Sequence, residues 1–158
     1  LLTAVFKSGI SGKELDILCR EHFWREDLDY QCGTGHGVGF MLNVHEGPQS
    51  FKVSVPFQEG MVVTIEPGLY REGQHGIRTE NVVEVVKGEK TEYAQFLEFS
   101  LFTLFPIDTS CLDLSLLTAK EIAWLDSYHS LVWEKLSPLV SPQAKEWLRK
   151  YTRPAAAC

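Results

Sequence analysis

The segment "GMVVTIEPGLY", residues 60–70, predicts a short buried strand that begins and ends abruptly. Met61 to Ile65 is apolar and β-branched, and Pro67-Gly68 is turn chemistry. Alternate strand residues share a face, so Glu66 lies with Thr64 in an otherwise apolar run, where a carboxylate is costly unless it is paired or binds a metal ion. For one isolated glutamate, a strand-end side chain turned to solvent is the more frequent alternative.

Further strand signals lie on both sides of this segment. They are "VSVPF" at residues 53–57, "RTENVVEVV" at 78–86 and "FLEFSLFTLFPI" at 96–107, the last of which would also suit a buried helix segment. At the amino end, Leu1 to Phe6 is interpreted as the end of a helix that "KSGISG" breaks.

Two capping boxes predict where helices begin. Ser11 with Glu14 starts a helix that should run to about Glu26, and Thr118 with Glu121 starts another. In the second helix apolar residues recur at three-four spacing, and Ser141-Pro142 predicts a third, shorter helix. The apolar stripe comprises Ile122, Leu125, His129, Val132 and Leu136.

Composition limits the partners of the chain. Its 158 residues carry a formal charge of −6 and 44% are hydrophobic, so a sizeable core is possible. The acidic balance argues against nucleic acid or an anionic membrane surface, and no run of about 18 apolar residues would span a bilayer. Small molecules or peptides are the expected partners. Since the chain starts at Leu1 without methionine, it is interpreted as a piece of a longer protein.

The cysteines favour a reducing compartment. Cys19, Cys32, Cys111 and Cys158 are scattered and form no C-x-x-C pair or dense disulfide framework. We therefore expect a cytoplasmic protein.

Two histidines lie in "YQCGTGHGVGFMLNVHEGPQ", residues 30–49, among glycines and apolar residues. Taken singly, His36 and His45 are each more often hydrogen-bonded structural residues than ligands. "HEGP" is not the H-E-x-x-H of helical zinc proteases, and "GTGHGVG" lacks the third glycine of a dinucleotide-binding loop.

Glu80 is flanked by Arg78 on the same strand face, and the common interpretation of such a pair is a surface ion pair of little energetic weight. Together, however, His36, Glu66 and Glu80 stand on separate short strands bracketed by turn residues. One imidazole and two carboxylates form an N/O ligand set suited to Mn²⁺, Co²⁺ or Zn²⁺.

These motifs resemble, in order and spacing, the closing motifs of the pita-bread metallopeptidases, in particular the Xaa-Pro aminopeptidases (aminopeptidase P). The resemblance rests on "GTGHGVG", "NVHEGP", "GMVVTIEPGLY" and "GIRTENVVEV", and it continues through "FTLFPID", "LTAKEIAWLDSYH" and "EWLRKYTRP". It implies an α+β fold, with residues 1–108 as the C-terminal part of a pita-bread catalytic domain and residues 109–158 as a helical C-terminal extension.

The resemblance also implies roles for individual residues. Two metal ions, usually manganese, are held in that family by two Asp, one His and two Glu, which would make His36, Glu66 and Glu80 ligands here. Glu66 would also be the general base, and His45 would assist at the substrate carbonyl. Arg78 would hold the carboxylate of Glu80. The parent protein would hydrolyse peptides with proline in second position, and the tail suggests a homodimer.

Two departures from the family pattern matter. Nothing before Cys32 resembles the two aspartate ligands, since Asp16, Asp27 and Asp29 lie in or beside a helix, so we expect the chain alone to be inactive. Cys32 stands where relatives carry a substrate-contacting histidine, four residues before His36. The alternatives are another peptidase of this fold, such as prolidase, and a catalytically degenerate module that binds peptides or proteins.

Overall fold

The structure is a computed structural model that describes residues 1–41 and 43–155, so Cys158 lies outside the described residues. The chain divides into two compact units, Leu1–Thr103 and Leu104–Cys158. The first unit is built mainly from antiparallel strands and the second from helices. The predicted α+β class is confirmed.

One helix and six strands form the first unit over the part of it that the structure describes. They are β1 (Val5–Lys7), α1 (Gly12–Trp24), β2 (Val62–Ile65), β3 (Gly68–Arg71), β4 (His75–Arg78), β5 (Asn81–Lys90) and β6 (Gln95–Leu101). The antiparallel sheet has the order β1-β6-β5-β2, and β3 pairs with β4 in a separate ribbon.

The core lies on one face of the four-stranded sheet. Val83 and Val85 of β5 are fully buried there together with Val63 of β2, because alternate strand residues share a face. Leu15 of α1 joins this cluster, and Ile10 packs against it. The other members are Phe6, Phe51, Phe57, Ile65 and Leu97.

One register runs through both halves of the long hairpin that ends in β3 and β4. Ile65 pairs with Asn81 in the sheet, and Gly68 pairs with Arg78 in the ribbon, so the same number of residues separates the pairs on each strand. Between these two pairs lie two residues on each side that belong to no strand, Glu66 and Pro67 on one side and residues 79–80 on the other. In this register Glu66 comes opposite Glu80.

The glycine-rich segment 34–38 lies between two other stretches of backbone. On one side it pairs with β2, where Thr64 N–H donates to the His36 carbonyl at 2.9 Å. On the other side it pairs with residues 49–51, where Phe51 N–H donates to the Gly35 carbonyl at 3.2 Å. A Cβ on Gly35 would stand 1.9 Å from the Thr64 carbonyl oxygen, so the close approach requires glycine.

Four predictions about elements differ from the structure. The helix end predicted for Leu1 to Phe6 is wrong, since Val5–Lys7 is a strand paired with β6. The strand predicted at "VSVPF" is also wrong, because that segment has only an isolated bridge at Pro56, a residue with no N–H to donate. The strand predicted at 96–107 stops at Leu101. Helix α1 ends at Trp24, two residues before the expected end.

The second unit contains α2 (Ala119–Leu136) and α3 (Pro142–Tyr151), which begin at the predicted caps. Most of the predicted stripe on α2 is covered, since Leu125, His129 and Val132 are buried. The His129 ring accepts a hydrogen bond from Ile107 N–H at 3.1 Å. Two short 3₁₀ turns, Thr109–Cys111 and Leu114–Leu116, precede α2.

Across residues 1–41 and 43–155, every helix is too short or too polar to cross a lipid bilayer.

Replacing Gly35 with alanine should destabilise the first unit. The new methyl group would collide with the backbone of Thr64, so we expect a loss of about 1–3 kcal/mol in the free energy of unfolding. Urea denaturation of the chain measures this loss. The matched control is Gly88→Ala, whose Cβ would meet its nearest neighbour, Glu98 Oε2, at an ordinary 3.5 Å and which should shift the free energy by less than about 0.5 kcal/mol. Equal effects of the two substitutions would contradict the close approach at Gly35.

Candidate active site

His36 is fixed in one ring orientation by its own segment. Its Nδ1 lies 2.9 Å from the Gly37 carbonyl oxygen, and a carbonyl only accepts, so Nδ1 carries the proton. Nε2 is thereby directed at Glu66 Oε1, 2.9 Å away. Glycine is required at position 37, next to His36, because a Cβ there would stand 2.0 Å from the Glu46 carbonyl oxygen.

Glu66 is the buried carboxylate of this site, with 8% of the residue exposed. Its backbone N–H donates to the Thr34 carbonyl at 2.7 Å, which extends the pairing of β2 by one residue. Oε1 accepts a hydrogen bond from the Thr64 hydroxyl at 3.0 Å, and Oε2 lies 3.2 Å from Arg78 Nη1. The solvent-facing interpretation of Glu66 is therefore wrong.

Arg78 reaches this carboxylate from the end of β4. Burial lowers the pKa of Arg78, but a hydrogen bond with Cys32 and the charge of Glu66 raise it more, so its pKa lies above the usual value. The resemblance assigned Arg78 to Glu80, whereas the ion pair in the structure is with Glu66.

His45 comes from the loop that follows segment 34–38. Its ring centroid lies 4.0 Å from that of His36, although the residue itself is exposed. The loop is tied back by Glu46 N–H, which donates to the Gly37 carbonyl at 3.0 Å. The two histidines predicted for one site thus lie side by side.

Glu80 is exposed, and the register of the flanking strands places it opposite Glu66. Over residues 1–41 and 43–155, the structure places no three His, Cys, Asp or Glu side chains close enough to hold one ion. Glu80 as a ligand stays a prediction.

The pair of His36 and Glu66 nevertheless fits a metal ion. Two ligand atoms about 2.1 Å from one ion and at right angles lie about 3 Å apart, which matches the 2.9 Å between Nε2 and Oε1. A ligating histidine commonly donates its other N–H to a backbone carbonyl, as His36 does to Gly37. The donor set and the fixed tautomer both suit Mn²⁺, Co²⁺ or Zn²⁺.

Cys32 contacts Arg78, the residue that pairs with Glu66. The thiol donates to the Gly68 carbonyl at 3.3 Å and interacts with the Arg78 guanidinium. A side chain at position 32 therefore borders the same surface as the charged end of Arg78. Its role in substrate binding stays a prediction.

Sequence reasoning missed the polar network that supports the segment before His36. Arg20 of α1 binds Asp16 and Asp29, each at 2.7 Å, and donates to the carbonyls of Tyr30 at 2.9 Å and Cys32 at 3.3 Å. Asp16 also accepts from the Thr34 hydroxyl. In the sequence, Asp16 and Arg20 show only the i,i+4 spacing of an ordinary surface pair, which carries no sign of these contacts.

The network is partly shielded from water, since the side chains of Arg20 and Asp16 are 17% and 19% exposed while that of Asp29 is 44% exposed. Burial lowers the pKa of Arg20, but its bonds to Asp16 and Asp29 raise it more, so its pKa exceeds the usual value. Burial also raises the pKa of Tyr30, whose ring lies 4.1 Å below the Arg20 guanidinium and whose hydroxyl pairs with Thr34. Arg20 therefore stays charged and Tyr30 stays neutral.

Comparison with known families fits this geometry. The sequence pattern of metallopeptidase family M24 matches residues 1–87, and that of the C-terminal region of peptidase M24 matches residues 95–155. The chain belongs to metallopeptidase family M24. The predicted family is thus confirmed across nearly the whole chain.

Individual relatives within family M24 agree. Aminopeptidase P2 of Arabidopsis thaliana is 47% identical over 97% of this chain and 23% of its own length. The crystal structure of X-prolyl aminopeptidase from Caenorhabditis elegans, described as a cytosolic enzyme with a di-nuclear active site, matches 98% of this chain at 42% identity, with a TM-score of 0.87. An Xaa-Pro dipeptidase from Bacillus anthracis matches only 68% of the chain, at 30% identity and a TM-score of 0.52. The chain spans 23% of the plant relative, 26% of the worm enzyme and 28% of the dipeptidase.

Replacing Arg20 with methionine should destabilise the chain. The substitution would leave Asp16 without its ion-pair partner, and the carbonyls of Tyr30 and Cys32 would lose the guanidinium donor. We therefore expect a loss of about 1–3 kcal/mol in the free energy of unfolding. The control is Arg25→Met, which removes an exposed pair with Glu21 and should change that energy by less than about 0.5 kcal/mol. Urea denaturation of both variants gives the comparison, and a small effect at Arg20 would contradict the supporting role of the network.

Proposed function

We propose that this chain is part of an aminopeptidase that releases the N-terminal residue from peptides with proline in second position, using two metal ions. The observation that carries the proposal is the pairing of His36 Nε2 with Glu66 Oε1, held by the Gly37 carbonyl on one side and by Arg78 on the other. The names of the relatives and the di-nuclear site of the worm enzyme support it.

His36, Glu66 and Glu80 would hold the metal, with Mn²⁺ as the first choice and Co²⁺ or Zn²⁺ as alternatives. The register that brings Glu80 opposite Glu66 supports their joint use. The two aspartate ligands would come from a part of the protein that precedes Leu1. When bound, the metal ions lower the pKa of water and polarise the scissile carbonyl.

The protein groups perform the proton transfer and hold the substrate. Glu66 accepts the proton of the attacking water, and Arg78 orients its carboxylate from the Oε2 side. His45, exposed beside His36, donates to the substrate carbonyl oxygen. Cys32 contacts the substrate from the position at which the family pattern has histidine, with its backbone carbonyl held by Arg20.

Further features complete the proposal. The enzyme acts in the cytoplasm, in keeping with the cytosolic worm relative and the scattered cysteines. Residues 1–108 belong to the catalytic domain and residues 109–158 to its helical extension. The relevant partners are proline-containing peptides and a second copy of the chain, rather than nucleic acid or a membrane.

The match to the C-terminal region of peptidase M24 supports an aminopeptidase over a prolidase. It agrees with the much fuller coverage by the worm aminopeptidase than by the bacterial dipeptidase. A catalytically degenerate binding module would also keep the fold. That alternative is favoured only by the replacement of a substrate-contacting histidine with Cys32.

The first test of this function uses the parent protein with its upstream segments restored. With Mn²⁺ present, we expect release of the N-terminal residue from an Xaa-Pro tripeptide, and little cleavage of the matching Xaa-Pro dipeptide. Glu66→Gln keeps the size of the side chain but removes the base, so the rate should fall by about 10²–10⁴-fold. Removal of metal with a chelator should abolish cleavage, and addition of Mn²⁺ should restore it. Chromatographic detection of the released amino acid measures each rate.

Each alternative has its own outcome in this assay. Preference for the dipeptide would identify a prolidase. A folded, metal-loaded protein that cleaves neither substrate would be a binding module. The 158-residue chain alone should be inactive, and measurable cleavage by the pure chain would show that His36, Glu66 and Glu80 suffice without the aspartates.

A homodimer is the expected assembly, formed through the second unit. Leu139 is 80% exposed there, and Trp147 of α3 is also exposed. Sedimentation velocity of the parent protein should give a dimer over a range of concentrations, and Leu139→Lys should shift the distribution towards monomer because a charge would replace apolar contact area. A monomer at every concentration would contradict this assembly.

A further inference from the structure

The hydroxyl of Thr64 connects the two groups proposed to bind metal. Its Oγ1 lies 3.0 Å from the backbone nitrogen of His36 and 3.0 Å from Glu66 Oε1. The residue is only 2% exposed, so water does not compete for these contacts. Thr64 was noted in the sequence only as a neighbour of Glu66 on the strand face.

The direction of both hydrogen bonds is fixed by chemistry. The His36 N–H can only donate, so Oγ1 accepts from it. The hydroxyl has one proton, and an ionised carboxylate can only accept, so that proton is directed at Glu66 Oε1. The Thr64 hydroxyl therefore holds the Glu66 carboxylate at a fixed position relative to the His36 backbone.

Thr64 is also the most firmly held of the groups around this carboxylate. Its backbone pairs with Val82 of β5 on one side and with His36 on the other. Arg78, which contacts the other carboxylate oxygen, has 39% of its side chain exposed and reaches the site on a long flexible stem. The contact between His36 Nε2 and Glu66 Oε1 would not persist with metal bound, because Nε2 is the atom that would bind the metal.

We infer that Thr64 is a positioning residue for the metal centre, which sets the Glu66 carboxylate relative to His36. The inference rests on the proposed function. Valine has the shape of threonine but no hydroxyl, so Thr64→Val would leave the partly buried His36 N–H without this acceptor and Oε1 without the hydroxyl donor. Thr64→Ser keeps the hydroxyl and serves as the matched control.

The experiment compares wild type, Thr64→Val and Thr64→Ser in the complete parent protein. Calorimetric titration with Mn²⁺, without substrate, should show affinity about 10–100-fold weaker for the valine variant, which is the usual effect of removing a group that orients a ligand. In the tripeptide assay kcat should fall while KM changes little, because the hydroxyl contacts Glu66 rather than the peptide. Serine should restore most of both values.

A third readout needs neither metal nor catalysis. In the 158-residue chain, the His36 amide should exchange with deuterium faster in Thr64→Val than in Thr64→Ser, because only serine can replace the acceptor.

The outcomes separate the two ideas. If wild type binds Mn²⁺ and cleaves the peptide while Thr64→Val matches it in affinity and kcat, the positioning role is overturned and the proposed function stands. A valine variant that is only less stable in urea, with unchanged metal affinity, also overturns it. If wild type neither binds Mn²⁺ nor cleaves the peptide, the proposed function fails and this inference fails with it. Weaker metal binding by Thr64→Val that serine restores supports it.

Discussion

The close passage of residues 34–38 between β2 and residues 49–51 is the constraint on which the site depends. Gly35 has the Thr64 carbonyl against its α-carbon, and Gly37 has that of Glu46. Without side chains at these two positions, the backbones come near enough for His36 and Thr64 to exchange hydrogen bonds. The carboxylate of Glu66, one residue past the end of β2, is thereby brought to the imidazole of His36, and side chains at the two glycine positions would prevent this approach.

Local chemistry made part of this arrangement predictable. The capping residues Ser11, Thr118 and Ser141 act within four residues of themselves, and the helices begin where they indicate. The segment around Glu66 was recognisable because its turn residues and apolar run are contiguous. The prediction that His36 and Glu66 share one site depended on the family resemblance, because neither local segment indicates how far apart the two residues lie in the fold.

Long-range contacts account for what the sequence concealed. β1 is only three residues long and owes its strand conformation to pairing with β6, about ninety positions later in the chain. Arg20 has the spacing of a surface ion pair, yet its guanidinium reaches residues 29–32, and only the fold shows that this turn lies beside α1. Two of the aspartates that do not match the family's metal ligands have another role, since Asp16 and Asp29 form ion pairs with Arg20.

The unbroken register on either side of Glu66 limits how this hairpin can change in length. A residue inserted between Glu66 and Gly68 would turn the following side chains to the opposite face and move Arg78 away from the carboxylate. A compensating insertion beside Glu80 would be needed to restore the pairing. Residues added at the tip, around Gly73, would leave every pair from Gly68 inward unchanged. Tolerance to length variation should therefore be concentrated at that tip, where a loop of new size would leave the contact between Glu66 and Arg78 in place.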